Sequence, residues 1–517
     1  MKKYYVTTPI FYASAKPQLG NAYSALLADT IARYKKLKGY DVVFQTGMDE
    51  HGKKVQIKAE EQNQNPQDFV DSISLEVKRV LESININYDT FARTTNPQHK
   101  KIVQKIFKKL YNQGDIYLGK YSGWYCTPCE SFFTETQLVD GKCPDCGRDV
   151  EKTEEEAYFL NLKKYSPWLK NYIETHEDFI TPKERRNEML KFIEQGLDDL
   201  CVSRTSFDWG IKVPFDEKHV IYVWLDALTN YITFQGYLTD EKFNTIWPAD
   251  LHIVGKDILR FHTIYWPIML KALNLPMPKQ VLGHPFLVDA KGGKMSKSKG
   301  NVLYADVLAQ KYGIDTIRYY LLSELGIHND GGVSEELIVE KYNSDLANTL
   351  GNLVNRTINM SKKYFDKKVD KPKEFKNMDK EIIEMSKTLG DRVDKKMNEL
   401  KVSEALNEIF ILLKRANKYI DETEPWKLAK DEEKKERLNT VLYNLLELIR
   451  ISATYLQAFL PDTADKIFKQ LNTQNRNIES TKDFEGMDPG IVLNDPEIIF
   501  QRIDKEDFIK EWYNVKN

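Results

Sequence analysis

No stretch of the 517 residues approaches the ~20 consecutive apolar positions of a membrane-spanning helix, so no membrane partner is expected. An excess of one charge is missing too. Lys and Arg number 75 against 77 Asp and Glu, a formal net charge of −2. That balance gives no global sign of nucleic-acid binding and confines any RNA partner to local patches. Cysteine is scarce: five in a chain this long suit a disulfide framework poorly, and four of them lie between positions 126 and 146, which points to metal. The N-terminal "MKKYYVTTP" moves straight into a strand-like run, so no signal peptide is expected and a cytoplasmic location is the default. There is no long internal repeat.

What is present is 41% hydrophobic and 29% charged, a globular composition, at a length that calls for two to four domains. The first ~113 residues alternate strand-like runs ("KKYYVTTPIFY", "DVVFQTG") with helical patterns over 22–38 and 98–112. From about 115 to 217 the character changes to short runs with Gly, Pro, Cys and acidic clusters, as in an insertion. Strand–helix alternation then resumes to about 290, so an interrupted α/β domain is expected. After ~345 the strands stop, and helical patterns run over 346–362, 378–396, 402–420 and 433–459. The last of these is apolar on more than one face, a central bundle helix stopped by Pro461. The tail from Glu497, "EIIFQRIDKEDFIKEWYNVKN", is expected to pack back as a final helix.

The turn "KPQLGN" between a strand and a helix aims a helix N-terminus at an anion, yet neither G-x-G-x-x-G nor a Walker lysine accompanies it. "GGKMSKSKGN", residues 292–301, sets three lysines and two serines between glycines, the composition of a mobile loop that brings ammonium groups to phosphates. A solvated lysine-rich turn has the same composition. Cys126-x2-Cys129 and Cys143-x2-Cys146 form two knuckles at the spacing of one tetrahedral Zn2+ with four thiolate ligands, a structural metal with no open coordination position. A redox dithiol is the lesser alternative. Cys201 reads as a small buried hydrophobe.

Taken in order, "TTPIFYASAKPQLGNAYS", "GMDEHG", "DLCVSRTSFDWG", "YVWLDALTNY", "GKDILRFHTIYWP", "KMSKS", "NTLGNLVNRT" and "ETEPWKLAK" closely resemble the methionyl-tRNA synthetase family of class I. The resemblance spans residue 7 to about 430. It implies a Rossmann-type catalytic domain over 1–114 and 218–290, interrupted by a zinc-binding insertion over 115–217. A KMSKS loop and stem-contact region would follow over 291–345, and a helical-bundle anticodon-binding domain with its tail over 346–517. It further implies ATP, methionine and tRNA(Met) as partners and Mg2+ with ATP.

The first motif departs from the family. In place of His-x-Gly-His this chain has Gln18-Leu19-Gly20-Asn21. An Asn amide nitrogen reaches about as far as a histidine Nδ1 and a Gln amide nitrogen about as far as Nε2, so donors to the ATP phosphates are exchanged, not deleted. Gly20 keeps the close backbone approach. By the resemblance, Lys294 and Lys297 neutralise the departing pyrophosphate and Asp257 lies near the ribose. Asp49 holds the α-ammonium, with Ile10 and Tyr12 beside it. Trp224, Ala227, Tyr231, Ile258, Phe261, His262 and Trp266 enclose the thioether, which suits sulfur–aromatic contact, and a Tyr231 hydroxyl near the sulfur would add discrimination. Arg204 matches a class I signature. Asn352, Arg356 and Trp426 read the anticodon by amide, guanidinium and stacking contacts.

An insertion of roughly a hundred residues is too short for a separate hydrolytic editing domain, so rejection of near-cognate amino acids would fall to the synthetic site. Two rivals are a catalytically silent tRNA-binding paralogue, suggested by Gln18 and Asn21, and a class I ligase for cysteine or a branched aliphatic acid. Without the appended dimerising module of some relatives, a monomer is expected.

Overall fold

The computed structural model describes residues 2–129, 131–133, 135–293, 295 and 301–504. They fall into two compact units: Met1–Ala28, Tyr40–Glu82 and Ile86–Phe286 form the first; Asp29–Gly39, Ser83–Asn85 and Leu287–Asn517 form the second.

The first unit is built on a parallel sheet of seven strands: β1 (Lys3–Thr7), β2 (Phe11–Tyr12), β3 (Asp41–Asp49), β4 (Thr90–Arg93), β5 (Ile180–Thr181), β6 (Leu251–Gly255) and β7 (Val281–His284). Gln45 of β3 pairs with Thr7 of β1 on one side and Thr90 of β4 on the other. Met48 likewise pairs with Phe11 and Arg93, so β2 carries on the β1 row. The order across the sheet is therefore β4, β3, β1, β6, β7, β5, with every pairing parallel. From β1 the chain winds to β3 and β4; beyond β6 it winds the other way. The carboxyl ends of β1 and β6 flank that reversal, where an open α/β sheet forms its ligand crevice. The strands are near-continuous apolar runs because both faces are covered.

The inserted segment brings its own four-stranded antiparallel sheet, built on the long pairing of Ile116–Cys126 with Glu151–Leu160. It is not wholly separate from the parent sheet: β5, inside the span read as insertion, pairs with β7.

The second unit is mainly helical. From Arg437 to Leu456 every residue of the helix Lys435–Leu456 is buried, in line with its all-round apolar pattern. Its buried charged members are paired: Arg437 donates to Asp379 at 2.5 Å, and Arg450 to Glu447 at 2.7 Å. Arg318, fully buried, meets Asp29 at 2.7 Å and the Phe459 and Ile84 carbonyls at 2.9 and 3.1 Å, which ties 29–39 and 83–85 to this unit.

Three helices differ from the periodicity. That helix ends at Leu456; Pro461 does not stop it but opens the next one, Pro461–Leu471, as proline at the first helical position can. The 378–396 pattern is two helices, Asn377–Lys387 and Leu389–Asn398. At the break the Thr388 hydroxyl bonds the Glu384 carbonyl at 2.9 Å, and a Cβ at Gly390 would lie 2.5 Å from the Tyr455 hydroxyl. The 346–362 pattern is a wide π-helical stretch, Tyr342–Gly351, that passes into Asn352–Phe365.

Candidate active site

Between β2 and the helix Leu19–Leu37 runs the turn that carries Gln18 and Asn21. Leu19 is buried; Gln18 and Gly20 are half-buried and Asn21 is exposed at the helix start. Asn21 Oδ1 accepts the Gln18 N–H at 3.0 Å. The oxygen end of the amide is thereby committed to the turn, and the Nδ2 end faces away from that bond. Across the sheet reversal, Asp257 is exposed just past β6, in a turn closed by Ile258 N–H to Gly255 O at 3.1 Å. A Cβ at Gly255 would stand 2.6 Å from Asp257 Oδ1, so the carboxylate would have to turn aside to admit one. Lys294 and Lys297 lie outside the described residues.

Asp49 ends β3 and is buried, with 4% of its surface exposed. Ile10 is half-buried and Tyr12 exposed, the Tyr12 ring meeting Trp224 edge-on at 6.3 Å. The helix Val223–Thr233 is buried along its whole length and carries Trp224, Ala227 and Tyr231 on one face, at i, i+3 and i+7. Opposite them the chain makes a wide π turn, Phe261–Tyr265, before the helix Trp266–Leu273. Phe261 lies flat on Trp224, with ring centroids 3.6 Å apart and planes 9° apart. The indole N–H of Trp224 is buried and has no hydrogen-bond acceptor among the described residues. Trp266, fully buried, is 6.0 Å from the Tyr231 ring; Ile258 is half-buried at the wall.

Polarity in this wall is fixed by tautomers. His262 is pushed down to about 4 by burial and is neutral at ordinary pH. Its Nδ1 faces the Ile258 carbonyl at 3.0 Å, which can only accept, so Nδ1 carries the proton and Nε2 accepts from the Tyr231 hydroxyl at 2.8 Å. The Tyr231 hydroxyl hydrogen is thus engaged with His262, not presented as a free donor. By the same logic the Pro285 carbonyl, 2.8 Å away, fixes the proton on His284 Nδ1, and His284 Nε2 accepts from Ser24 at 2.6 Å.

The sequence reading missed a buried polar cluster behind the pocket helix. Asp226 takes His51 Nδ1 at 2.6 Å on one carboxylate oxygen and His99 Nε2 at 2.7 Å on the other. Burial would raise this carboxyl, but the two imidazoles outweigh it and hold it below the usual carboxylate range. The available signal was the i, i+4, i+7 polar series Asp226, Asn230 and Thr233 in a mostly apolar helix. Beside this cluster, Trp209 donates to Glu50 O at 2.6 Å. Arg204 is buried with its guanidinium 3.9 Å above the Tyr125 ring.

Cys126, Cys129, Cys143 and Cys146 converge, their four sulfurs within 4.8 Å of one another. Cys126 to Cys146 is 3.6 Å and Cys129 to Cys143 is 3.9 Å, against roughly 3.8 Å between ligands of a tetrahedral site with 2.3 Å bonds. These four cysteines can hold a metal ion. The positive φ of Gly147 and the Gly147 N–H to Cys143 O bond at 2.8 Å shape the second knuckle. Cys201 is buried, its thiol 3.3 Å from Ser203 O.

In the second unit Asn352 opens its helix exposed, and Arg356, one turn on, faces Asp421 at 3.6 Å. Trp426 stands 39% exposed on the short helix Pro425–Leu428.

The family models that match are tRNA synthetases class I (M), over residues 4–154 and 147–358, and the anticodon binding domain of methionyl tRNA ligase, over 369–515. The chain belongs to the methionyl class I tRNA synthetases. The methionine–tRNA ligase of Clostridium acetobutylicum is 56% identical over 518 residues, 100% of this chain and 80% of that protein. That of Bacillus subtilis is 47% identical over 526 residues, 98% and 79% of the two. Mycobacterium tuberculosis methionyl-tRNA synthetase in complex with methionyl-adenylate superposes with a TM-score of 0.93 at 41% identity, over 97% of this chain and all of that one. In this class the Rossmann-type parallel sheet and the helical anticodon-binding domain are the expected pair of folds, and both are present.

Proposed function

We propose that the chain is a methionine–tRNA ligase whose first motif works with amides in place of imidazoles. It condenses methionine with ATP to methionyl-adenylate and pyrophosphate, then transfers methionine to the 3′ end of tRNA(Met). The observation that carries the reading is Asp49, buried at the end of β3, together with an aromatic wall of Trp224, Tyr231, Phe261 and Trp266 in the same unit. A silent paralogue finds no support: the relatives above are named methionine–tRNA ligase, and the structural neighbour holds methionyl-adenylate. A ligase for cysteine or a branched aliphatic acid would not call for so large an aromatic wall.

In this reading Asp49 takes the α-ammonium, with Ile10 and Tyr12 at the entrance. Trp224, Ala227, Tyr231, Ile258, Phe261, His262 and Trp266 enclose the thioether, whose polarizable sulfur is favoured against ring edges. The neutral Tyr231–His262 pair gives that wall polarity without charge. Gln18, Asn21, Lys294 and Lys297 donate to the phosphates as charge develops on them, Gly20 lets the backbone approach, and Asp257 meets the ribose. No protein nucleophile is needed, because the methionine carboxylate attacks the α-phosphate itself. Mg2+ accompanies ATP.

Zn2+ suits the four thiolates, filling all four positions and so organising the insertion without entering the chemistry. Asn352, Arg356 and Trp426 read the anticodon. The segmentation into 1–114, 115–217, 218–290, 291–345 and 346–517 divides these tasks along the chain. Charging of a tRNA(Met) transcript with labelled methionine tests the whole cycle. Methionyl-tRNA should form with the CAU anticodon and fall steeply when that triplet is changed; equal charging of both transcripts would contradict the anticodon assignment.

A further inference from the structure

The helix Val223–Thr233 has two buried faces that do different things. One face, Trp224, Ala227 and Tyr231, carries the pocket residues. The other, Asp226, Asn230 and Thr233, is a polar seam whose every member is bonded across to another element. Asp226 accepts from His51, two residues beyond Asp49, at 2.6 Å and from His99, in the first turn of the helix Pro97–Asn112, at 2.7 Å. His99 Nδ1 lies 2.7 Å from Thr233 Oγ1, so one imidazole clamps the helix at positions seven residues apart. Asn230 Oδ1 accepts from Gln45 Nε2 of β3 at 2.6 Å. Buried polar contacts of this kind are directional, whereas apolar packing tolerates sliding.

We propose that His51, Asp226 and His99 are positioning residues that set the register of the pocket helix against Asp49, and so tune binding of the amino acid without touching the reacting atoms. The inference rests on the methionine pocket assigned above. An Asp49 carboxylate fixed on β3 and an aromatic wall fixed on the helix must stand at one spacing to hold the ammonium and the thioether of the same molecule. The His51–Asp226 bond ties the chain two residues beyond Asp49 to the pocket helix. His51 presents Nδ1 to Asp226 and His99 presents Nε2. An Asn at 51 and a Gln at 99 can each keep the donor at the required reach.

The experiment is methionine-dependent ATP–pyrophosphate exchange on the zinc-loaded chain of 517 residues, with KM for methionine and for ATP measured separately. His51→Ala, His99→Ala and Asp226→Asn should raise KM for methionine about tenfold or more, the scale of a lost hydrogen bond to a charged group, while KM for ATP moves less than about twofold. His51→Asn and His99→Gln should return the methionine KM to within about threefold of wild type. If the alanine variants fold poorly, these two and Asp226→Asn still decide the matter. An unchanged methionine KM in Asp226→Asn, or parallel losses for methionine and ATP, would overturn the proposal. Absence of exchange with methionine in the wild type would instead count against the methionine reading itself.

Discussion

Asn21 turns its side-chain oxygen back onto the Gln18 N–H at 3.0 Å, so the two variable positions of the first motif are held to each other. The Asn21 amide is oriented by that bond, which leaves its Nδ2 end as the donor. A histidine reaches a phosphate with a group that titrates; an amide does not.

Replacing either amide should therefore reduce activation without abolishing folding. Asn21→Ala or Gln18→Ala is expected to lower kcat for exchange by roughly 100-fold, on the order of 3 kcal/mol for one donor aimed at developing charge. The wild type should show no limb near the histidine pKa between about pH 5.5 and 8.5, while Gln18→His/Asn21→His should acquire one. A limb in the wild type alone would contradict the assignment.

The Tyr231–His262 pair makes a second prediction. Tyr231→Phe removes the hydrogen that His262 Nε2 accepts at 2.8 Å and leaves a buried acceptor unsatisfied, at a cost of about 1–3 kcal/mol. KM for methionine should rise about tenfold, with stability lowered by a similar free energy. A variant with wild-type KM would remove the pair from the recognition scheme.

Stability should depend on pH through the same histidines. His262 and His284 are each pushed down to about 4 by burial, against about 6.5 when unfolded. Above 6.5 both states are neutral and the full stability is present. As pH falls from 6.5 toward 4 the unfolded chain gains protons that the native one excludes, so stability is lost, about 2 kcal/mol per histidine at pH 5. Thermal midpoints at pH 7 and 5 should draw apart less in His284→Gln than in wild type; equal separations would contradict this.

Cys126→Ser should lower bound zinc from one per chain toward zero, measured by elemental analysis. The sulfur spacing, 3.6 and 3.9 Å in the two close pairs, is what one tetrahedral ion needs. Full zinc retention in this variant would contradict a four-cysteine site.

Trp426→Ala should leave amino-acid activation intact and lower tRNA charging. An aromatic side chain 39% exposed on a helix of four residues can offer its face to a base, and one stacked base corresponds to roughly 10–100-fold in binding. Equal loss in exchange and in charging would mean that the substitution acts on folding.

Much of this was legible in the chain itself. Strand runs and the four cysteines carried the α/β class and the metal cluster, because each has a short-range signature; the ordered motifs carried the family. The register of helix breaks did not, since Thr388 and Gly390 act through a particular carbonyl and the distant Tyr455 hydroxyl. The Asp226 seam was equally hidden. His51 and His99 lie 48 positions apart in the chain, and only the fold brings both to one carboxylate.

ATP–pyrophosphate exchange by the purified zinc-loaded protein, with each of the twenty amino acids in turn, tests the central claim most directly. Exchange with methionine alone is the predicted result, and it would establish Gln-Leu-Gly-Asn as a working first motif. Silence with all twenty, or exchange that prefers another amino acid, would contradict the account.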